Sequence, residues 1–200
     1  MNNKKRCINI NVINVKEYKY ILYIIVVFLL IVLIINNSTT IIKRIYPLKY
    51  QELVFSYSEF NGIDPYLVFA VIKAESSFNP YAKSKKDAMG LMQITENTAK
   101  WGAESMDIKS FKIEDLYDPE TNIRIGCWYI KQLMVEFKND IDLVLAAYNG
   151  GSGNVNEWLR NNTYSKTGKK LDVIPFRETD TFIKRVRKYQ QIYIRLYSER

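Results

Sequence analysis

Residues 64–80, DPYLVFAVIKAESSFNP, predict a helix that carries a carboxylate on an apolar face. The helix should start at Asp64-Pro65, because aspartate can cap a first turn and proline suits the first helical position. It should extend over 65–76 and end ahead of the next proline. Glu75 then lies near the C-terminus of the helix, on the same face as three β-branched residues. These residues are Val68, Val71 and Ile72.

The predicted position of Glu75 opposes the ionisation of its carboxyl group. An apolar environment raises a carboxyl pKa by desolvation, and the C-terminal end of a helix dipole disfavours an anion. An acid that is still protonated near neutral pH can donate a proton to a leaving oxygen. The alternative is a structural glutamate that reaches solvent or pairs with Lys73, and helical periodicity alone leaves both interpretations open.

The composition excludes several kinds of chemistry. The chain has 200 residues, a net charge of +8, no histidine and two cysteines. The lack of histidine excludes Ser-His-Asp and Cys-His catalysis and histidine-ligated zinc, and two cysteines cannot form an all-cysteine zinc site. If the protein is an enzyme, carboxylates and hydroxyls must perform the reaction.

The N-terminal segment has the pattern of a membrane anchor. Residues 20–35 are apolar and uncharged, and polar neighbours at both ends extend the run to the length of a spanning helix. Basic residues precede it, so the positive-inside rule predicts a cytoplasmic tail at 1–19, a single anchor at 20–36 in contact with membrane lipid, and an extracellular remainder. A cleaved signal peptide is the alternative. Cys7 precedes the apolar run, which argues against a lipoprotein.

The remainder of the chain predicts an all-α fold. Residues 37–60 have the pattern of a connector and a first helix, which Gly62 stops, and residues 61–200 that of one helical domain. Cys127 falls on an apolar helical stripe and should be a small buried core residue. Residues 171–174 are the one stretch whose sequence suggests a short extended segment. The further predicted helices are 65–76, 90–101, 119–137, 142–148, 154–159 and 179–197.

Short sequence blocks follow one another in this domain, and their order is more informative than any one of them. They are Glu75-Ser76, Gly90-Leu91-Met92-Gln93, Ala147-Tyr148-Asn149 and Ile174-Pro175-Phe176-Arg177-Glu178-Thr179. Together these blocks resemble the lytic transglycosylases of the soluble (Slt) type, which have a lysozyme-like fold. The resemblance covers residues 62–197.

The resemblance implies cleavage of the β-1,4 bond between N-acetylmuramic acid and N-acetylglucosamine in peptidoglycan. Glu75 matches the catalytic acid, which protonates the glycosidic oxygen and then acts as base on the C6 hydroxyl of the muramoyl sugar. That hydroxyl closes a 1,6-anhydro ring, so the second carboxylate of an ordinary glycosidase is not required. The reaction would need no metal and no organic cofactor.

The resemblance also implies a set of substrate-binding residues. Ser84 matches a serine that contacts the sugar near its N-acetyl group. Met92 and Gln93 match residues that line the groove, and Gln93 would form a hydrogen bond with sugar. Tyr148 matches a tyrosine beside the acid, and Asn149 should hold the turn that places this tyrosine.

Glu178 matches an acid that contacts the muramoyl sugar and is not a second catalytic carboxylate. Other positions depart from the family pattern. Asp87 stands where glycine is usual, Gly150-Gly151-Ser152 where Ala-Gly-Pro is frequent, and Phe182 where tyrosine is common. These departures affect a turn, the edge of the groove and one hydroxyl, and none removes a residue assigned to the chemistry.

Two other functions fit the same residues. A goose-type lysozyme would hydrolyse the same bond and would need a second acid to orient water. A non-catalytic module would bind peptidoglycan and position another machine. The partner is a peptidoglycan glycan strand in every case, and the basic residues of the last helix are interpreted as a solvated face and not as a nucleic-acid site. We expect the domain to act at the cell wall, close to the membrane.

Overall fold

The computed structural model describes the backbone of residues 15–198 and the side chains of 18–34 and 39–198. Most of the predicted basic tail therefore lies outside the described residues. The chain divides into two compact units, of which the first ends at Ile45 and the second begins at Tyr46. The second unit starts before the predicted domain boundary at position 61, because the helix that precedes this boundary contributes buried residues to its core.

The first unit contains helix α1, Val15–Ile45, which includes the apolar N-terminal run and continues through the predicted start of the connector. Most of its described apolar side chains are exposed. Among the described residues, no single helix has both the length and the apolar character needed to cross a bilayer. The segments Tyr18–Ile34 and Thr39–Ile45, which meet at an angle of 54°, satisfy this criterion only as a pair. The predicted single anchor helix is therefore not observed as one span.

The second unit is helical, as predicted. Within residues 15–198 there is no β-strand, although isolated bridges join Lys83 to Met89 and Met89 to Ile94. The helices are α2 Gln51–Asn61, α3 Pro65–Glu75, α4 Glu96–Ser105, a 3-10 helix Ile113–Tyr117, α5 Pro119–Glu136, α6 Ile141–Gly150, α7 Ser152–Arg160 and α8 Arg177–Tyr197.

The helix boundaries follow local capping signals. The Asp64 carboxylate accepts a hydrogen bond from the Tyr66 backbone N–H, and Asp118 does the same for Thr121. Both predicted Asp-Pro starts are thus confirmed. Gly62 ends α2 with a φ of 65°, in the left-handed region that glycine adopts most readily.

The prediction of a helix from Gly90 onward was wrong, since α4 starts only after Thr95. Gly90 and Gln93 have φ values of 78° and 50°, which are incompatible with an α-helix. The Thr95 hydroxyl oxygen accepts a hydrogen bond from the Thr98 N–H and caps the helix there. The suggested extended piece at 171–174 contains no strand either.

Helix α3 lies at the centre of the second unit. Its residues from Leu67 to Ile72 are all buried, and it packs against α2 and α8. Burial of each large apolar side chain contributes about 1.5–3 kcal/mol, so this helix is held firmly in place. Cys127 of α5 is a buried free thiol in the same core, as predicted. Because α3 ends at Glu75, the last residue of this buried helix carries a carboxyl group.

Candidate active site

One cavity of about 430 Å³ brings together six of the seven predicted site residues. The six are Glu75, Ser84, Gln93, Tyr148, Asn149 and Glu178. They come from the end of α3, the loop before α4, the end of α6 and the start of α8. A cavity of about 380 Å³ elsewhere on the unit is lined by Tyr57 and Trp128 among others. Volume therefore does not distinguish the candidate site, whereas its group of titratable and polar side chains does.

Burial raises the pKa of Glu75 from its ordinary value of 4.5 to about 7. Desolvation is the main cause. The guanidinium of Arg185 opposes the shift, and the carboxylate of Glu178 adds to it. Lys73 is the residue with which Glu75 would pair in the alternative interpretation, and its ammonium lies 5.7 Å from the centre of the Tyr46 ring. The predicted direction of the pKa shift is confirmed, and a carboxyl group with a pKa near 7 can hold its proton close to neutral pH.

Tyr148 lies beside the acid and is fixed by the backbone of the loop. Its hydroxyl donates a hydrogen bond of 2.7 Å to the carbonyl oxygen of Met92. Burial raises the pKa of Tyr148 well above its ordinary value, and the Glu75 carboxylate raises it further. The phenol therefore stays protonated, and its oxygen can still accept a hydrogen bond from a ligand. The ring stacks in parallel on Phe182, with centroids 6.3 Å apart.

Met92 does not line this cavity, contrary to the prediction that it lines the groove and binds substrate. Its side chain is completely buried. It packs so closely on α5 that a side-chain carbon at Gly126 would overlap the methionine sulfur. Met92 contributes its carbonyl oxygen, which positions Tyr148.

Gln93 points an amide into the cavity from a fixed turn. Its Nε2 donates hydrogen bonds of 3.0 Å to the carbonyl oxygens of Ala82 and Gly90. Because both amide hydrogens are used in this way, the amide oxygen is the atom that can accept a hydrogen bond from a ligand hydroxyl or N–H group.

Asn122 holds this turn in place from α5. Its Oδ1 accepts a hydrogen bond of 2.8 Å from the Met92 N–H, and its Nδ2 donates to the carbonyls of Met89 and Leu116 at 3.0 and 2.8 Å. The side chain is fully buried, so these bonds satisfy groups that would otherwise be desolvated without partners. Gly90 fits the turn because any Cβ at that position would overlap the Asn122 amide.

Ser84 closes a tight turn at the other side of the cavity. Its hydroxyl oxygen accepts hydrogen bonds from the N–H groups of Lys86 and Ala88, at 3.2 and 3.1 Å. Asp87 has a φ of 57° within this turn. It therefore adopts the left-handed conformation that the usual glycine would adopt more easily, and aspartate is one of the residues that tolerate it.

Asn149 and Glu178 link the ends of α6 and α8 at the cavity. The Asn149 Oδ1 accepts a hydrogen bond of 2.8 Å from the Thr179 hydroxyl. Glu178 is exposed in the first turn of α8. Its carboxylate lies 3.6 Å from the ammonium of Lys86, so the ion pair spans the rim of the cavity.

Some residues of the site were not predicted. Lys85, Lys86 and Thr95 line the cavity together with Ala88. The signal for the two lysines was their position directly after Ser84. The signal for Asn122 was a polar residue that shares a helical face with Ile125 and Ile130, three and eight residues later.

Comparisons with known proteins find relatives over most of the second unit. The family model described as Transglycosylase SLT domain matches residues 52–171. The soluble lytic murein transglycosylase of Salmonella typhimurium is 36% identical over 155 residues, which are 74% of this chain and 23% of that protein. The membrane-bound lytic murein transglycosylase C of Edwardsiella ictaluri is 40% identical over 123 residues, 54% of this chain and 32% of that protein. The chain thus spans 23–32% of the length of these relatives.

Solved structures show the same helical fold. The 70 kDa soluble lytic transglycosylase Slt70 of Escherichia coli matches with a TM-score of 0.70 and 32% identity, over 78% of this chain and 26% of that one. The Pseudomonas aeruginosa lytic transglycosylase Slt, in an inactive mutant with a glutamate replaced by glutamine, gives a TM-score of 0.66 and 28% identity over 75% and 24%. These likenesses confirm the predicted resemblance and its lysozyme-like fold.

Proposed function

The chain belongs to the transglycosylase SLT domain family, and we propose that it is a peptidoglycan lytic transglycosylase. It would cleave the β-1,4 bond between N-acetylmuramic acid and N-acetylglucosamine and leave a 1,6-anhydro end. One observation carries the proposal: the pKa of Glu75 is raised to about 7 in a cavity that contains the other predicted polar groups.

Glu75 is the general acid of the first step. Its carboxyl group donates a proton to the bridging oxygen while the bond from that oxygen to C1 of the muramoyl sugar breaks. A pKa near the working pH gives both a large protonated fraction and a strong enough acid, and such catalysis contributes about 10²–10⁴-fold in rate. The N-acetyl group of the sugar stabilises the positive charge at C1, and Ser84 contacts that group.

Glu75 is the general base of the second step. Its carboxylate removes the proton of the C6 hydroxyl, and O6 forms a bond to C1 of the same sugar. The N-acetylglucosamine side leaves with the first proton, no water is consumed, and Glu75 is protonated again. Attack within one sugar has a high effective concentration, which favours ring closure over attack by water.

The remaining cavity residues hold the sugars. The Gln93 amide oxygen and the Tyr148 hydroxyl oxygen accept hydrogen bonds from the substrate. Glu178 contacts the muramoyl sugar from the rim. It is exposed and paired with Lys86, whereas an acid partner for hydrolysis would have to hold a water molecule against C1.

The test is a digest of purified peptidoglycan by the full chain in mild detergent, analysed by mass spectrometry. The comparison variants are Glu75→Gln and, as a matched control, Glu104→Gln on an exposed position of α4. We expect anhydro-muropeptides, lighter by one water than reducing-end products, from the wild type and the control but not from Glu75→Gln. Reducing-end products would show goose-type hydrolysis. Binding of peptidoglycan without any release of fragments would show a binding module.

We also propose that α1 anchors the protein in the cell membrane, with the second unit on the wall side. Apolar side chains are exposed along Tyr18–Ile34, and a helix surface of this kind is stable only in contact with lipid or protein. The test is alkaline extraction of membranes from cells that express the full chain. Wild type should stay in the membrane fraction, and Leu29→Arg with Leu30→Arg should be extracted, because each arginine costs about 2.5–3.5 kcal/mol at the centre of a span. Protease added outside spheroplasts should digest the second unit, and protection would contradict the orientation.

A further inference from the structure

We propose that Lys85 binds a carboxylate of the peptide stem that the muramoyl sugar carries, so that the protein prefers stem-bearing strands with free carboxylates. This inference rests on the proposed function, because it identifies which form of peptidoglycan the same cavity selects. Its basis is the juxtaposition of a fixed turn, a free cation and the catalytic carboxyl group in one cavity.

The turn that presents Lys85 is closed by hydrogen bonds at both ends. The Ser84 N–H donates to the Ala88 carbonyl at 2.9 Å, and the Asp87 N–H donates to the Ser84 carbonyl at 3.1 Å. The Ser84 hydroxyl oxygen accepts from two further backbone N–H groups of the turn. The backbone of Lys85 is therefore held before a ligand arrives, and binding has to order only the lysine side chain.

Of the three lysines in this loop, Lys85 is the one whose ammonium group has no ion-pair partner among the described side chains. Lys86 is paired with Glu178, and Lys83 is paired with Asp87 at 2.9 Å. Lys85 lies in the cavity wall and forms no ion pair with any side chain that the structure describes. The ammonium is also exposed, so a ligand carboxylate can reach it without a large desolvation cost.

The chemistry of the substrate places a carboxylate on this side. The peptide stem of peptidoglycan is joined through a lactyl group to C3 of the muramoyl ring, next to C2, which carries the N-acetyl group. Ser84 is assigned to the N-acetyl group, so its neighbour Lys85 is near the start of the stem. Peptide stems carry free carboxylates unless these are amidated, and an ammonium group distinguishes the two forms by charge.

The expected effect is modest, because an exposed ion pair is partly screened. We expect strands with native stems to bind about two- to fivefold more tightly than the same strands with amidated stems. The advantage should shrink as salt concentration rises.

The experiment measures the Kd of soluble, fluorescently labelled glycan strands for the full chain in detergent. Every protein in this experiment also carries Glu75→Gln, which prevents turnover. Two strand preparations are compared: strands with native stems, and the same strands with their stem carboxyls chemically amidated. The ratio of Kd values between amidated and native stems is the readout. Lys85→Ala should bring this ratio close to one, and Lys85→Arg should restore it.

Lys83→Ala is the matched control, since it removes the same charge from the same loop outside the cavity wall. The ratio should persist in this variant. The inference is overturned if Lys85→Ala keeps the ratio, if Lys83→Ala abolishes it equally, or if amidated stems bind as well as native ones. Release of anhydro-muropeptides by wild type is scored separately. If wild type releases anhydro-muropeptides but Lys85→Ala keeps the Kd ratio, only the role of Lys85 is refuted. If wild type releases no fragments and no strand binds, the proposed function is refuted and the inference with it.

Discussion

Glu75 and Glu178 open into the same cavity, yet their surroundings differ in nearly every respect. Glu75 ends the most buried helix of the unit, and desolvation raises its pKa to about 7. Glu178 begins a helix at the surface and forms an ion pair with Lys86. Burial thus gives two identical carboxyl groups different pKa values, and in the proposed mechanism this difference separates the acid from the binding group.

The same contrast extends to what holds each carboxylate in place. The floor of the cavity, which we define as Glu75, Gln93 and Tyr148, is held by hydrogen bonds to and from the Met92 backbone and by the packing of the Met92 side chain on α5. At the rim, which we define as Lys85, Lys86 and Glu178, the side chains of Lys86 and Glu178 are joined by one exposed ion pair. Changes at the floor should therefore cost far more than changes at the rim.

The largest expected effect is the loss of activity in Glu75→Gln. Removal of the proposed proton donor should slow the release of muropeptides about 10³-fold, since general acid–base catalysis is worth about 10²–10⁴-fold. Glu178→Gln should cost about tenfold or less, because only a contact with the sugar is lost. Initial rates on the same peptidoglycan preparation measure both variants. Equal losses would remove the distinction between acid and binding group.

The next largest effect concerns folding. Asn122→Ala should lower the free energy of unfolding by about 3 kcal/mol, because it leaves the backbone groups of Met89, Met92 and Leu116 buried without partners. Lys86→Ala at the rim should cost less than about 0.5 kcal/mol. Urea denaturation followed by tryptophan fluorescence is a suitable measurement, because all three tryptophans lie in the second unit. A small effect of Asn122→Ala would show that the turn is held by other contacts.

A third effect links stability to pH. The folded chain binds the Glu75 proton more tightly than the unfolded chain, so the free energy of unfolding should fall as pH rises from about 4.5 to about 7. Glu75→Gln removes this cost, and at pH 8 it should stabilise the protein by up to about 3 kcal/mol. At pH 4 the two proteins should be equally stable. Thermal unfolding at both pH values tests this, and destabilisation by Glu75→Gln at pH 8 would contradict a desolvated carboxylate.

Sequence alone predicted the features that one helical turn determines. The Asp-Pro starts and Gly62 depend on caps within a few residues, so these boundaries were confirmed. The raised pKa of Glu75 also followed from a single helix, because the apolar residues that desolvate it lie on the same face. The family blocks then indicated which groups share its cavity.

The features that distant contacts determine were missed. The segment at Gly90 was predicted to be helical, yet Asn122, more than thirty residues later, holds it as a turn. Met92 was predicted to face the substrate, yet the space left by Gly126 accepts its side chain into the core. The ion pair of Lys86 with Glu178 likewise depends on where α8 begins relative to the loop. Sequence periodicity contains no information on such pairs.

The smallest expected effect is a shift in the pH dependence of activity, and it is the most direct test of the electrostatic interaction between the rim and the floor. Activity should fall as pH rises through about 7, because the protonated form of Glu75 starts the reaction. The Glu178 carboxylate raises the pKa of Glu75 and Arg185 lowers it, so Glu178→Gln should move this basic limb of the pH profile to lower pH and Arg185→Ala should move it to higher pH, with the larger shift in Arg185→Ala. The exposed Glu104→Gln should leave it in place.

The pH dependence of kcat/KM for the three variants measures these shifts, since it reports the free enzyme. Desolvation is the main cause of the raised pKa, so even without Glu178 the limb should stay well above 4.5. A limb that fell to the ordinary carboxyl range in Glu178→Gln would mean that repulsion between the two carboxylates, and not burial, makes Glu75 an acid. The contrast between floor and rim would then be electrostatic in origin, and both glutamates would have to be treated as one coupled pair.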